Sequence, residues 1–220
     1  LWLMPEDLIK LTGPGYGEKL IETLGKSPDL VYSLVDEYDI SCEALRNGTL
    51  HCADTRSGYK ALCQREEQWL KRGAPVRLLE KNEAQEYTGT DVFHGALLDK
   101  RAGTVQPLAY VNGLAHAAVK EGAQVFKKSP VTSLNKTRKG WELKTPEATI
   151  TAGSVIIAVH GYADYAFKDH HKNMVPFNFF QFATEPLEKD ILEKILPYKN
   201  AAWDTNLILS SYRLDQQGRL

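Results

Sequence analysis

The sequence predicts an α/β fold with α+β parts, and three observations lead there. Val155–Val159 ("VIIAV") is a wholly apolar run that stops at His160-Gly161, the pattern of a parallel strand buried on both faces. The loop "DKRAGTVQP" leads at Pro107 into a helix that closes at Gly122 and is followed by "AQVF", a β–α–β-like passage. The turn dipeptides Asn47-Gly48 and Lys139-Gly140 each separate short β-rich arms, which reads as antiparallel hairpins.

Taken in order, residues 5 to about 40 are predicted helical. Pro5, Glu6 and Asp7 make a helix start, because proline suits the first turn and acids suit its dipole. "GPGYG" at 13–17 interrupts as a loop between helices. Ser27 is placed to cap a new helix with Pro28 at its first position, and Leu30, Val31, Leu34, Val35 and Tyr38 recur at helical spacing. "ALRNGTLHCA" (44–53) is predicted as a hairpin. Residues 57–72 form an amphipathic helix with Leu62, Trp69 and Leu70 toward the core, and a short helix follows Asn82. Residues 92–98 form a strand. After "AQVF", residues 129–152 give strands with a turn at Lys139-Gly140, and "SVIIAV" is the next strand. Beyond Pro176, "FNFFQFATEPL" is rich in β-formers, "LEKDILEKIL" is a short helix, and "AAWDT" and "LILSSYRL" are the final strands. The chain is read as entering one domain (1–99), passing through a second (100–167) and returning to the first (168–220).

Bulk properties exclude several classes. With 27 basic and 28 acidic residues the formal net charge is -1, which gives no electrostatic case for nucleic acid. No apolar run approaches the ~20 residues of a membrane span. Cys42, Cys52 and Cys63 fall in no metal or redox spacing and read as free thiols of a reducing, cytoplasmic compartment. The chain opens on Leu1 and closes two residues after a turn at Gln217-Gly218, so it is expected to be a piece of a longer protein whose uncovered surfaces could self-associate.

Motifs narrow the site. The sequence contains no G-x-G-x-x-G, P-loop, G-x-S-x-G or H-E-x-x-H. His170-His171 in "KDHHKN" reads as solvated loop, and no metal site is expected. His160 ends a buried strand, and strand C-termini of α/β sheets are where ligands bind. Phe177, Phe179, Phe180, Phe182 and Tyr212 read first as sheet packing and second as a pocket wall. Tyr212 and Arg213 are adjacent on a predicted strand, so only one can enter a given pocket; a surface ion pair is the first reading for Arg213.

Beyond such motifs, the order and spacing of segments resembles the FAD-dependent amino-acid and amine oxidase family, which includes D-amino-acid oxidase, glycine oxidase and sarcosine oxidase. The resemblance rests on Gly103-x-x-x-Pro107, the helix ending in Gly122, the strand pair after Val131, the "VIIA" strand, the Pro176–Leu187 segment with "ATEPL", and the "YR…GRL" hairpin of Tyr212–Leu220. The N-terminal helices with "EALRNGTLHCA" look most like gamma-glutamylputrescine oxidases within it.

The resemblance implies a two-domain flavoenzyme, with a partial Rossmann-like FAD-binding domain and a mixed-sheet substrate domain. It implies FAD contacts at Val131, Ala158, Val159, His160 and Gly161, and substrate contacts at Phe180 and Tyr212. The parent protein would oxidise the C–N bond of an amine or amino acid, pass hydride to FAD and electrons to oxygen. A rival within the class is a D-amino-acid or glycine oxidase or dehydrogenase, for which Arg213 would hold a carboxylate; a rival of another class is a non-catalytic binding domain. Catalytic residues are not assigned. The strand–G-x-G-x-x-G–helix unit of such enzymes is absent from these 220 residues, so this chain alone is expected to bind FAD weakly or not at all and to be inactive.

Overall fold

A computed structural model describes residues 3–160, 162 and 178–220. The chain divides into two compact units, residues 1–121 with 183–220, and residues 122–182.

The first unit is a five-stranded mixed sheet with helices. Its strands are β1 (Thr49–Ala53), β2 (Val76–Glu80), β3 (Gly95–Asp99), β7 (Ala201–Asp204) and β8 (Ser211–Tyr212), in the order β2-β3-β1-β7-β8. β1 and β2 are both antiparallel to β3, which lies between them, and helix α3 (Arg56–Leu70) connects them as a split β–α–β unit. β7 pairs parallel to β1, and β8 returns antiparallel to β7. Strand alternation sends Leu50, Cys52, Leu79, Ala96, Leu98 and Ala202 to one face, which buries them with Ala84 of α4 (Lys81–Thr88) and with Leu196. Leu97, Ala53 and Val76 go to the other face, where they meet Leu62 and Trp69 of α3, Leu8 of α1 (Pro5–Thr12) and Ile21 of α2 (Pro14–Glu37). A third small core joins Val35, Ile40 and Cys42 to helix α5 (Pro107–Lys120).

Several local readings change. Helix α2 runs unbroken through Ser27-Pro28, with the break upstream at Gly13. Pro28 has no N–H for the Leu24 carbonyl, and the Ser27 hydroxyl donates to that carbonyl instead (2.8 Å). Ser27 therefore repairs a helix where capping was expected. The chain bends at Asn47-Gly48, with Gly48 at φ +86°, but makes no hairpin. Leu45 bridges Thr104, and β1 takes its partners from β3 and β7. Leu70 is exposed, since α3 turns Leu62 and Trp69 inward and ends there. The four residues Lys189–Leu192 (α6) are all that is helical of the "LEKDILEKIL" reading, and Ser211–Tyr212 all that is strand of "LILSSYRL".

The second unit carries an antiparallel meander of β4 (Ser133–Thr137), β5 (Gly140–Lys144) and β6 (Thr149–Ala152). Its turn sits at Arg138-Lys139, one residue earlier than expected. Leu134, Trp141, Leu143 and Ile150 share one face, with Lys136 over the Trp141 ring at 5.9 Å. "AQVF" and Val155–Val159 are not strands, and neither are residues 178–187. Ile156 is 90% exposed. A strand buried on both faces exists only with neighbours on both edges, and among the described residues none pairs with 155–159.

Gly103, the glycine of the Gly-x-x-x-Pro segment, crosses the chain at Leu45, where a Cβ would stand 2.0 Å from the Leu45 carbonyl oxygen. Gly103→Ala is expected to lower unfolding stability by about 1–3 kcal/mol, as overpacking against backbone does; urea denaturation checks this, and an unchanged midpoint would show that the crossing yields.

Candidate functional site

Two of the first unit's buried polar side chains, His51 on β1 and Asp204 on β7, lie in neighbouring strands of the sheet. Cys52 pairs with Asp204 across β1–β7, and Ala202 with Tyr212 across β7–β8, so Cys52, Asp204 and Tyr212 lie on one face. Asp204 is buried. Its Oδ1 accepts the Asn206 N–H at 3.0 Å and its Oδ2 the Ser210 N–H at 3.1 Å, while its own N–H donates to the Ser210 carbonyl. The Thr205 hydroxyl donates to Asp54 (3.1 Å). This clamps the base of loop 205–210 and leaves Leu207 and Ile208 exposed at its apex. Burial first, with the Asp204 charge adding to it, holds the Tyr212 hydroxyl well above the usual phenol range. Burial pushes the Cys52 thiol up to about 12.

On the opposite face, His51 stacks on Trp203 with ring centroids 3.6 Å apart and planes 6° apart. Burial first, and the Arg65 charge second, lower its pKa to about 4, while Asp204 opposes them. Its Nδ1 is buried without a hydrogen-bond partner.

Arg213 follows β8 directly. Its Nη1 lies 3.8 Å from Glu43 Oε2, both side chains being about a quarter exposed. The ion pair read from the sequence is thus present, with a partner in the 38–48 loop. Tyr212 packs against the core around Leu50 and Ala202.

The other sequence-derived site residues lie in the second unit. Val131 is half-buried just before β4, where the Thr132 N–H donates to the Lys144 carbonyl. Ala158 is exposed, Val159 half-buried, and His160 exposed with φ +50°. Phe180 is 95% exposed. Gly161, Pro176, Phe177 and the His170-His171 pair lie outside the described residues. Sequence reasoning did not single out Asp204 or Glu43. Asp204 carried a signal, since "WDTN" ends a β-rich run with an Asp that can accept from the backbone two residues on; Glu43 carried none, because its partner is 170 positions away.

Among the described residues no His/Cys/Asp/Glu cluster could hold a metal, and no helix is long and apolar enough to cross a membrane. The three cysteines are free thiols.

Comparison with known proteins places these features. The family model described as FAD dependent oxidoreductase (DAO) matches residues 10–220. The probable oxidoreductase OrdL of Haemophilus influenzae is 28% identical over 220 residues, covering 98% of this chain and 51% of that protein. The gamma-glutamylputrescine oxidoreductase of Escherichia coli is 28% identical over 211 residues, covering 93% and 49%. The chain therefore spans about half the length of the curated relatives it matches. In fold it is similar to glycine oxidase from Geobacillus kaustophilus (TM-score 0.69, 20% identity, 91% of this chain and 53% of that one). It is equally similar to L-proline dehydrogenase from P. horikoshii (0.69, 18%, 88% and 52%).

FAD, the cofactor of that family, meets only part of a cradle here. A pyrophosphate needs clustered amide or cationic donors at a helix N-terminus. The described residues at 155–160 present backbone and one exposed imidazole, and no glycine-rich strand–turn–helix occurs in the 220 residues. The residues present do not fit the whole group.

The buried imidazole has a measurable consequence. Its folded pKa of about 4 lies below the ordinary 6.5, so the unfolded chain takes the proton first and stability falls as pH drops through that window. The expected loss is ~2 kcal/mol between pH 7 and pH 5. His51→Phe keeps the stack and should flatten the pH dependence of the urea midpoint; an equally steep profile would assign the loss to other groups.

Proposed function

This chain belongs to the FAD-dependent oxidoreductase (DAO) family, and from that premise we propose that it is part of an enzyme oxidising the C–N bond of an amine. In the whole protein FAD would supply the hydride acceptor and oxygen the terminal oxidant. The observation that carries the reading is the family match over 10–220 together with the relative named for gamma-glutamylputrescine. In this proposal residues 100–167 serve the flavin domain, with Val131, Ala158, Val159, His160 and Gly161 toward the cofactor. Residues 1–99 and 168–220 serve the substrate domain, with Phe180 and Tyr212 as wall residues. The three free thiols favour a cytoplasmic setting.

The chain's own contribution is placement. Asp204 fixes the loop after β7, and Tyr212, kept protonated, offers a hydroxyl donor beside it. The amine reading is preferred to the amino-acid reading because Arg213, the group that would hold a substrate carboxylate, faces Glu43.

Two experiments test this. The 220-residue chain, purified alone, is expected to carry no stoichiometric flavin absorbance, since no clustered pyrophosphate donors occur among the described residues and the 220 residues contain no G-x-G-x-x-G; a full complement of bound flavin would refute that. The full-length protein, reconstituted with FAD, is expected to release hydrogen peroxide and an aldehyde from gamma-glutamylputrescine or another primary amine. Turnover of glycine or D-alanine alone would transfer the assignment to the amino-acid oxidase reading, in which Arg213→Ala would raise KM sharply.

A further inference from the structure

A groove of about 400 Å³ lies within the first unit, between the end of α2 and the later turns of α5. Its floor is apolar. α2 stops at Glu37, and in the turn that follows Asp39 is left-handed at φ +49° while the Ile40 N–H donates to the Val35 carbonyl (2.9 Å). This turn sets buried Ile40 against Gly113 of α5, where a Cβ would stand 2.2 Å from Ile40 Cγ2. Buried Ala117 continues the floor one turn further along α5.

The walls are polar. Asn112, His116 and Lys120 recur at i, i+4 and i+8 along one edge of α5, and Asp39 lines the groove from the α2 side. Among the described residues these four side chains make no hydrogen bond or ion pair. Lysines elsewhere on helices are matched: Lys26 pairs with Glu22 at 2.7 Å and Lys71 with Glu67 at 2.8 Å. Here a cation and an anion line one groove and do not meet. α2 and α5 both end at it, and the partial negative charge of two helix C-termini favours a cation. The Glu121 and Glu37 charges act in the same sense, raising the Tyr38 phenol of the same groove above its ordinary range. Lys120 supplies the opposite sign.

We propose that this groove binds an ω-amino acid, a short aliphatic chain with an ammonium at one end and a carboxylate at the other. The ammonium meets Asp39 and the helix ends. The carboxylate meets Lys120 and the Asn112 amide, and the methylenes lie on Ile40, Gly113 and Ala117. A simple amine leaves Lys120 unmatched and a simple carboxylate leaves Asp39 unmatched, so the zwitterion is selected over both. The inference does not use the amine-oxidising reading above, and binding here requires no flavin.

The test is calorimetric titration of the full-length protein, kept free of oxygen to prevent turnover, with 5-aminopentanoate, pentanoate and pentylamine. 5-Aminopentanoate is expected to bind about tenfold or more tightly than either single-charge analogue. Asp39→Asn, which keeps a residue suited to the left-handed turn, should abolish the advantage over pentanoate while pentanoate itself binds as before. Lys120→Gln should abolish the advantage over pentylamine while pentylamine binds as before. Absence of 5-aminopentanoate binding, or affinity no better than that of the two analogues, overturns the proposal. So does tight binding that survives both substitutions, or a loss that weakens all three ligands alike.

Discussion

Everything in the first unit depends on β1 having two partners from distant parts of the chain. On one edge it takes β3, some 45 residues on, and on the other β7, some 150 residues on. Leu50, Cys52 and Ala53 are fully buried as a result. The junction is held at the start of β1 by side chains that serve backbone. Asn200 donates to the Asn47 carbonyl and to that of Gly48 (3.1 Å), and Asn47 donates to the Tyr198 carbonyl (2.7 Å). These bonds fix the register of β7, and β7 in turn fixes β8, so the positions of Asp204, Tyr212 and Arg213 all follow from a strand that precedes them by 150 residues.

The two units stand in contrast. The first has three buried clusters; the second has, among its described residues, none that is buried. A three-stranded meander with one apolar face gains stability only when that face is covered. Leu134, Trp141, Leu143 and Ile150 form such a face, and Ile156 and Phe180 expose still more apolar surface. Hydrophobic patterning there is written for burial that these described residues do not supply to one another.

That contrast also explains what was legible in the sequence. Helices α3, α4 and α5 and the β4–β5–β6 meander carry their own cues, such as the helical spacing of Leu62 and Trp69 in α3, Pro107 and Gly122 at the two ends of α5, and the turn residues at Lys139-Gly140. Each was read within a few residues. The hairpin at Asn47-Gly48 was misread because the dipeptide reports a tight turn but not what the next strand pairs with. Ser27-Pro28 was misread because a helix start and a repaired helix interior share the same two letters. Val155–Val159 has the composition of a buried strand, yet composition cannot provide its neighbours. At the site, Tyr212 and Arg213 were legible as a pair. Their partners Asp204 and Glu43 were not, because one is tied to a loop by backbone and the other is joined only by folding.

The protonation states around β7–β8 limit what this chain can do chemically. Tyr212 stays protonated because burial and neighbouring negative charge oppose its ionisation. Cys52 stays a thiol for the same reason, with its pKa pushed up to about 12. His51 stays neutral at pH 7 because burial and Arg65 oppose its protonation. The Asp204 carboxylate spends its oxygens on two amides. Of His51, Cys52 and Tyr212, none is thus held near neutral pH as a general base of the usual kind. That is the division of labour expected where a cofactor supplies the difficult chemistry and the protein supplies orientation.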